Sequence, residues 1–149
     1  MKFIGKNLGG KTVSVDGTDY TASTTAEIFG DYDNNIAVGD WSIAEGSGTV
    51  AKGRASHAEG RYTIAAGGAQ HVEGIANIED TEGEYIHIAG NGAFDARSNA
   101  YTLDWDGNGW FAGNVEATAI ILRSSTPGST KTFKLTIDDS GTLNISENI

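Results

Sequence analysis

Glycine recurs every seventh residue through the middle of the chain, at Gly39, Gly46, Gly53, Gly60, Gly67 and Gly74. The residues before each glycine repeat as well, as NNIAVG, WSIAEG, GTVAKG, ASHAEG, YTIAAG and AQHVEG. The shared frame is (Ser/Thr)-(Ile/Val/His)-Ala-x-Gly, with Asn35 and Gln70 filling the first slot at the two ends. A short fixed period marks a repeat architecture, in which each unit stacks on its neighbour instead of folding alone. Glycine is a poor helix former, so the repeats are expected to be five-residue strands separated by Gly-containing turns. These glycines are therefore assigned to turns.

Two heptads suffice for one coil of two short strands and two turns, which predicts that residues two heptads apart stack on successive coils. One column is then Ile36, Val50, Ile64 and Ile78, and the other is Ile43, His57 and His71. Strand alternation sends Ile43 to one face and Ala44 to the other. The small-residue slot continues through Ala51, Ala58, Ala65 and Val72. Both faces are restricted in size. The expectation is that one packs within its own coil and the other against a second chain.

Composition supports that expectation. Hydrophobic residues make up 38% of the chain, against a usual ~45–50% counted with glycine. Apolar material for a private core is thin, and oligomerisation is a standard remedy. The net charge of −10 argues against binding nucleic acid through its phosphates. With no cysteine, disulfides, thiol nucleophiles and Cys–metal sites are excluded together. No run approaches the ~20 apolar residues of a membrane helix. The opening MKFIGKNLGGKTVSV lacks the apolar stretch of a signal peptide, so neither membrane nor secretory leader is expected.

Five segments can be read along the chain. Residues 1–34 form an N-terminal module, in which Lys11–Val15 and Asp19–Ser23 flank an Asp16-Gly17-Thr18 hairpin turn. Residues 35–78 are the repeats. Residues 79–97 hold the acidic loop Glu79–Glu84 and an irregular last coil, YIHIAG. Residues 98–123 read as a hairpin, with Tyr101, Leu103 and Trp105 on one face and Asp106–Gly109 as its turn. Residues 124–149 form a C-terminal β cap, where Phe133, Leu135 and Ile137 are answered by Leu143 and Ile145 across the Asp138–Gly141 turn. Within the cap, Thr126-Pro127-Gly128 marks a boundary before the alternating stretch KTFKLTIDDSGTLNISE.

Few residues suggest chemistry. His57 and His71 fall in register and are candidate metal ligands, for example as rings of imidazoles on a trimer axis. The competing role is packing, because Ile43 fills the same slot one coil earlier. Asp104, Asp106 and Asn108 match the opening of a calcium loop, but the closing glutamate position holds Val115 and Glu116 comes one residue late. A tight hairpin turn explains the same residues. Glu45, Glu59 and Glu73 recur at every second heptad and could suggest glycoside hydrolysis. A solvated strand edge offset by Lys52, Arg54 and Arg61 is the simpler account. Trp41, Tyr62, Trp105 and Trp110 could line a sugar-binding groove or anchor an interface. Asn144-Ile145-Ser146 spells a glycosylation sequon without a secretory context. No enzyme activity and no cofactor are expected.

The heptads carry a resemblance. NNIAVG and the S-x-A-x-G units that follow resemble the head of trimeric autotransporter adhesins. That resemblance implies a left-handed parallel β-roll whose coils are two heptads long, with three rolls sharing an interface. A second one covers more of the chain. EIFGDYDNNIAVG, QHVEGIANIED, HIAGNG, RSNAYTLDWDGNGWFAGNV and STPGSTKTFKLTIDDSGTLNISE are similar to bacteriophage head and tail fibre proteins. The expectation is an all-β, elongated homotrimeric fibre on the virion exterior. Its N-terminal module would attach to a capsid or tail protein, and its free end could meet a host glycan or protein. Alternatives are the head fragment of a bacterial surface adhesin and a polysaccharide-cleaving tailspike.

Overall fold

The computed structural model describes residues 8–15, 17–30 and 34–148. Residues 1–7 of the N-terminal module, Asp16 of its turn and residues 31–33 of its connector lie outside the described residues. A hairpin of β1 (Thr12–Val15) and β2 (Thr18–Thr21) comes first, with Val15 opposite Thr18. The repeats then form a parallel β-solenoid of about four coils at the expected spacing of about 14 residues. Long and short strands alternate: β3 (Glu27–Gly30), β4 (Ile36–Ala37), β5 (Ile43–Ser47), β6 (Val50–Ala51), β7 (His57–Arg61), β8 (Ile64–Ala65) and β9 (His71–Ile75). The long strands continue into β10 (Tyr85–Asn91), and the short ones make a separate three-stranded sheet. No helix occurs among the described residues.

The small-residue slot is the interior. Ala44, Ala58 and Val72 of the long strands and Ala37, Ala51 and Ala65 of the short ones are all 0–1% exposed. Only a methyl or slightly more fits where two sheets of one narrow coil face each other. The bulkier Ile28 and Ile88 occupy the first and last parallel strands of the long-strand sheet. The other column, Ile36, Val50 and Ile64, is in register as expected. Ile78, expected to extend that column, lies outside the strands after β9, is 54% exposed, and donates its backbone N–H to Asn99 Oδ1.

The first slot of the heptad is buried at every corner, and at all but Thr49 its side chain hydrogen-bonds there. Asn35, Ser42, Thr49, Ser56, Thr63, Gln70 and Asn77 are buried to within 2%. Buried turn backbone must find partners, and these side chains supply several. Ser42 and Ser56 donate their hydroxyls to the carbonyls of Gly39 and Gly53, both at 2.8 Å. Gln70 Oε1 accepts from the N–H groups of Ala66 and Gly67, while its amide donates to Asp80 at 2.7 Å. Asn77 accepts from Ile64 N and donates to Ile64 O, at 2.8 and 3.0 Å. One amide side chain thus pairs the outer edge of β8 as a fourth short strand would.

The glycine assignment needs refinement. Gly46, Gly60 and Gly74 lie inside β5, β7 and β9, and the left-handed corner residues include Trp41, Ala55 and Ala69 at φ 54–56°. Repeated coil-to-coil bonds, Ala55 N–H to Asp40 O and Ala69 N–H to Arg54 O at 2.7 Å, hold that corner. What glycine provides at Gly53 is clearance: a Cβ there would sit 2.0 Å from the Gly67 carbonyl oxygen of the next coil.

Beyond β10 the chain reverses. β11 (Asn99–Asp104) pairs antiparallel with β10, and β12 (Gly109–Phe111) pairs with β11, completing a seven-stranded sheet. Trp105 falls in the connecting turn, not on the strand face with Tyr101 and Leu103. The chain divides after Gly113 into two compact units. The second holds β13 (Ile120–Arg123), β14 (Thr132–Ile137) and β15 (Leu143–Asn148), an antiparallel sheet in which Leu135 opposes Ile145 and Ile137 opposes Leu143. Ile120–Arg123 therefore pairs with the C-terminal strands, not with the 99–111 hairpin. No residue from 114 to 147 is buried within the chain.

Candidate functional site

With alanine turned inward, the alternate residues of the long strands form the outer face of the sheet. Register places Ile43, His57, His71 and His87 side by side on four adjacent strands. The three imidazoles stack face to face, with ring centroids 5.0 and 5.1 Å apart and planes within 20° of parallel. His87 then meets Tyr101 edge-on, and Tyr101 leans on Phe111 at 4.8 Å. One aromatic column runs across five strands. His87 comes too late in the chain for the period that links His57 to His71, and the acidic loop absorbs the difference outside the strands.

Beside the column runs a row of carboxylates. Each histidine approaches the glutamate of the preceding coil: His57 Nε2 to Glu45 at 3.6 Å, His71 Nε2 to Glu59 at 3.1 Å and His87 Nε2 to Glu73 at 3.4 Å. Only the middle pair satisfies hydrogen-bond geometry. The Nε2 atoms of His57 and His87 are shielded from solvent and make no hydrogen bond. Glu45, His57 and Glu59 present ligand atoms that all lie within 4.8 Å of one another. His57 and His71, the pair that register singled out, thus share this face with Glu45, Glu59, Glu73 and His87, whose place in the column a strict period hides.

The cations expected to offset the glutamates are engaged elsewhere. Lys52 pairs with Glu79 at 2.8 Å. The Arg54 guanidinium lies over the Trp41 ring at 4.7 Å, and that of Arg61 over Tyr62 at 4.8 Å. The aromatic candidates also separate. Tyr62 contacts Phe94 edge-on, Trp105 donates its indole N–H to Gly83 O, and Trp110 lines a groove of about 580 Å³ with Tyr85, Asn99 and Thr102.

The calcium-loop residues Asp104, Asp106 and Asn108 form a hydrogen-bonded turn. Asp104 accepts the side-chain amide of Asn108 at 2.8 Å and the backbone N–H groups of Asn108 and Asp106 at 2.7 and 2.9 Å. These bonds, the Asn108 amide first, hold its pKa below the usual carboxylate value. Asp138 closes the β14–β15 turn in the same way. The Ser140 hydroxyl, then the Thr142 N–H, lower its pKa. Both are turn-forming aspartates. No protein-family model matches this chain, and no curated protein or solved structure matches it either.

Proposed function

We propose that this chain is a structural protein of a phage virion, a short homotrimeric fibre on head or tail. One observation carries the oligomeric part: the C-terminal sheet leaves its apolar face uncovered. Ile120, Leu122, Ile137, Leu143 and Ile145 on that face are 49–70% exposed in the single chain. This sheet buries no side chain within the chain and so has no core of its own, and units of fewer than about 40 residues usually need metals, disulfides or partners. Three copies of the same sheet can supply the missing core, each chain covering its neighbours. The solenoid suits a rigid spacer, because every coil is bonded to the next by strand ladders and corner side chains. The N-terminal module is then the attachment to the particle, and the role is mechanical.

Light scattering on the full chain should return three times its 15.6 kDa mass. A folded monomer or dimer at micromolar concentration would overturn the trimer. Immunogold labelling of intact phage particles from the host strain should decorate head or tail projections. Absence of label on particles that contain the protein by mass spectrometry would overturn the location.

A further inference from the structure

We propose that the outer face of the long-strand sheet binds a transition-metal dication, with Glu45, His57 and Glu59 as the ligands of the first ion and Zn²⁺ as the best-fitting cation. The inference does not depend on the fibre reading. The donors are one imidazole nitrogen and carboxylate oxygens, the mixture that suits zinc and its neighbours; Ca²⁺ and Mg²⁺ take oxygen alone.

The spacing fits as well. Ligands about 2.0–2.1 Å from a tetrahedral ion stand roughly 3.4 Å from each other. The His57–Glu45 separation is 3.6 Å and the His87–Glu73 separation 3.4 Å. These separations match those of two ligands on one tetrahedral ion, and His57 Nε2 and His87 Nε2 make no hydrogen bond despite being shielded from water. The longest edge of the Glu45–His57–Glu59 triangle is at most 4.8 Å. A rotamer change of Glu45, whose side chain is 53% exposed, can close it.

Electrostatics favours the same ion. Among the described residues, Glu45, Glu59 and Glu73 make no ion pair with a lysine or arginine, and the side chains beside them are the histidines. Arg61 projects from the same strand as Glu59 but stacks on Tyr62. A dication would therefore meet two carboxylates with no fixed cation between them, on a chain of net charge −10. Coordination here requires nothing from a second chain, and Glu59 is also held by a hydrogen bond with His71 at 3.1 Å.

The test is calorimetric titration of Zn²⁺ into the full chain at neutral pH, alone and with a large excess of Mg²⁺. Wild type should bind at least one Zn²⁺ per chain saturably, and Mg²⁺ should not displace it. His57→Ile and Glu59→Gln should each weaken binding about tenfold or more, at least the loss that removing an outer partner of a ligand produces. Glu82→Gln, an exposed carboxylate in the acidic loop, should bind as wild type does. Ile43 shows that the His57 slot accepts isoleucine. If His57→Ile nevertheless fails to fold, the near-isosteric Glu59→Gln carries the comparison. No saturable binding, or equal affinity in Glu59→Gln and wild type, overturns the site. One ion per three chains moves it to an axis between copies and overturns the assignment to a single chain.

Discussion

Replacing Gly53 by alanine adds one methyl group and should damage the solenoid far more than its size suggests. The new Cβ would stand 2.0 Å from the Gly67 carbonyl oxygen, 2.4 Å from its carbon and 2.9 Å from Gly68 N. All three are backbone atoms, so no side chain can swing aside. Restoring even a 3.0 Å separation, which real Cβ contacts rarely breach, moves the coils apart by about 1 Å locally, where paired strands are normally about 4.8 Å apart. The bonds spanning that gap are Val50 N–H to Thr63 O, Lys52 N–H to Ala65 O and Gly53 N–H to Ala65 O, at 2.8, 2.8 and 3.3 Å. At roughly 0.5–1.5 kcal/mol net for each bond, we predict a loss of about 3 kcal/mol, within the usual upper range for overpacking. For a unit of this size that is roughly 10 °C in Tm. Two other glycines calibrate the effect. At Gly113 nothing lies within 4 Å, and alanine should stay within about 0.5 kcal/mol. At Gly107 the space is equally open but φ is +86°, so alanine should cost about 1 kcal/mol through the left-handed backbone alone. Urea unfolding followed by circular dichroism measures all three. A Gly53→Ala midpoint within error of Gly113→Ala would refute the close-approach argument.

Two further outcomes follow from neighbouring features. Ala58 is fully buried at the middle of the interior column, so Ala58→Leu should destabilise by about 1–3 kcal/mol or more. Glu59→Gln on the outer face should stay within about 0.5 kcal/mol in metal-free buffer, and equal midpoints for the two would mean the faces are inverted. Acid should loosen the two aspartate turns. The pKa values of Asp104 and Asp138 are lowered on folding from 3.8, so their contribution is fully present above that value and is lost as pH falls through the lower folded value. The amide resonances of Asn108 and Thr142 should titrate with midpoints below 3.8, and a midpoint at or above it would contradict the hydrogen-bonding account.

The heptad period carries most of what the sequence says about this fold. Residues two heptads apart do stack, because a β ladder makes the hydrophobic pattern and the coil length one constraint. The C-terminal pairing of Leu135 with Ile145 followed from alternation around a turn of recognisable chemistry. The polar first slot was visible as a frame, yet its burial was not. Ser, Thr, Asn and Gln normally face water, and only the geometry of a corner shows that most of them satisfy turn backbone, Thr49 being the exception. A heptad recurrence of small hydrogen-bonding side chains was the signal to follow. His87 escaped because strict spacing cannot detect a column that survives an insertion outside the strand. The glutamate–histidine pairing was hidden because its partners sit on the diagonal between coils, off the column that the period defines. Arg54 and Arg61 stack on Trp41 and Tyr62 instead of pairing with the glutamates, because a planar guanidinium has an aromatic face beside it in each case.

The reversal of direction after β10 bears on how long such a molecule can become. A parallel stack ends in an open strand that would accept another coil of the same kind, from its own gene or from a stray copy. Here the next strand along that sheet is antiparallel, and β12 follows it in the opposite sense. The hairpin is therefore a terminator, and coil number becomes a property that duplication can change without redesigning either end. Copying one double-heptad unit such as residues 50–63 would insert a rung of about 4.8 Å and carry its own corner serine, glycines and interior alanines with it. Length in this architecture is digital, set by counting repeats between a fixed start and a fixed stop.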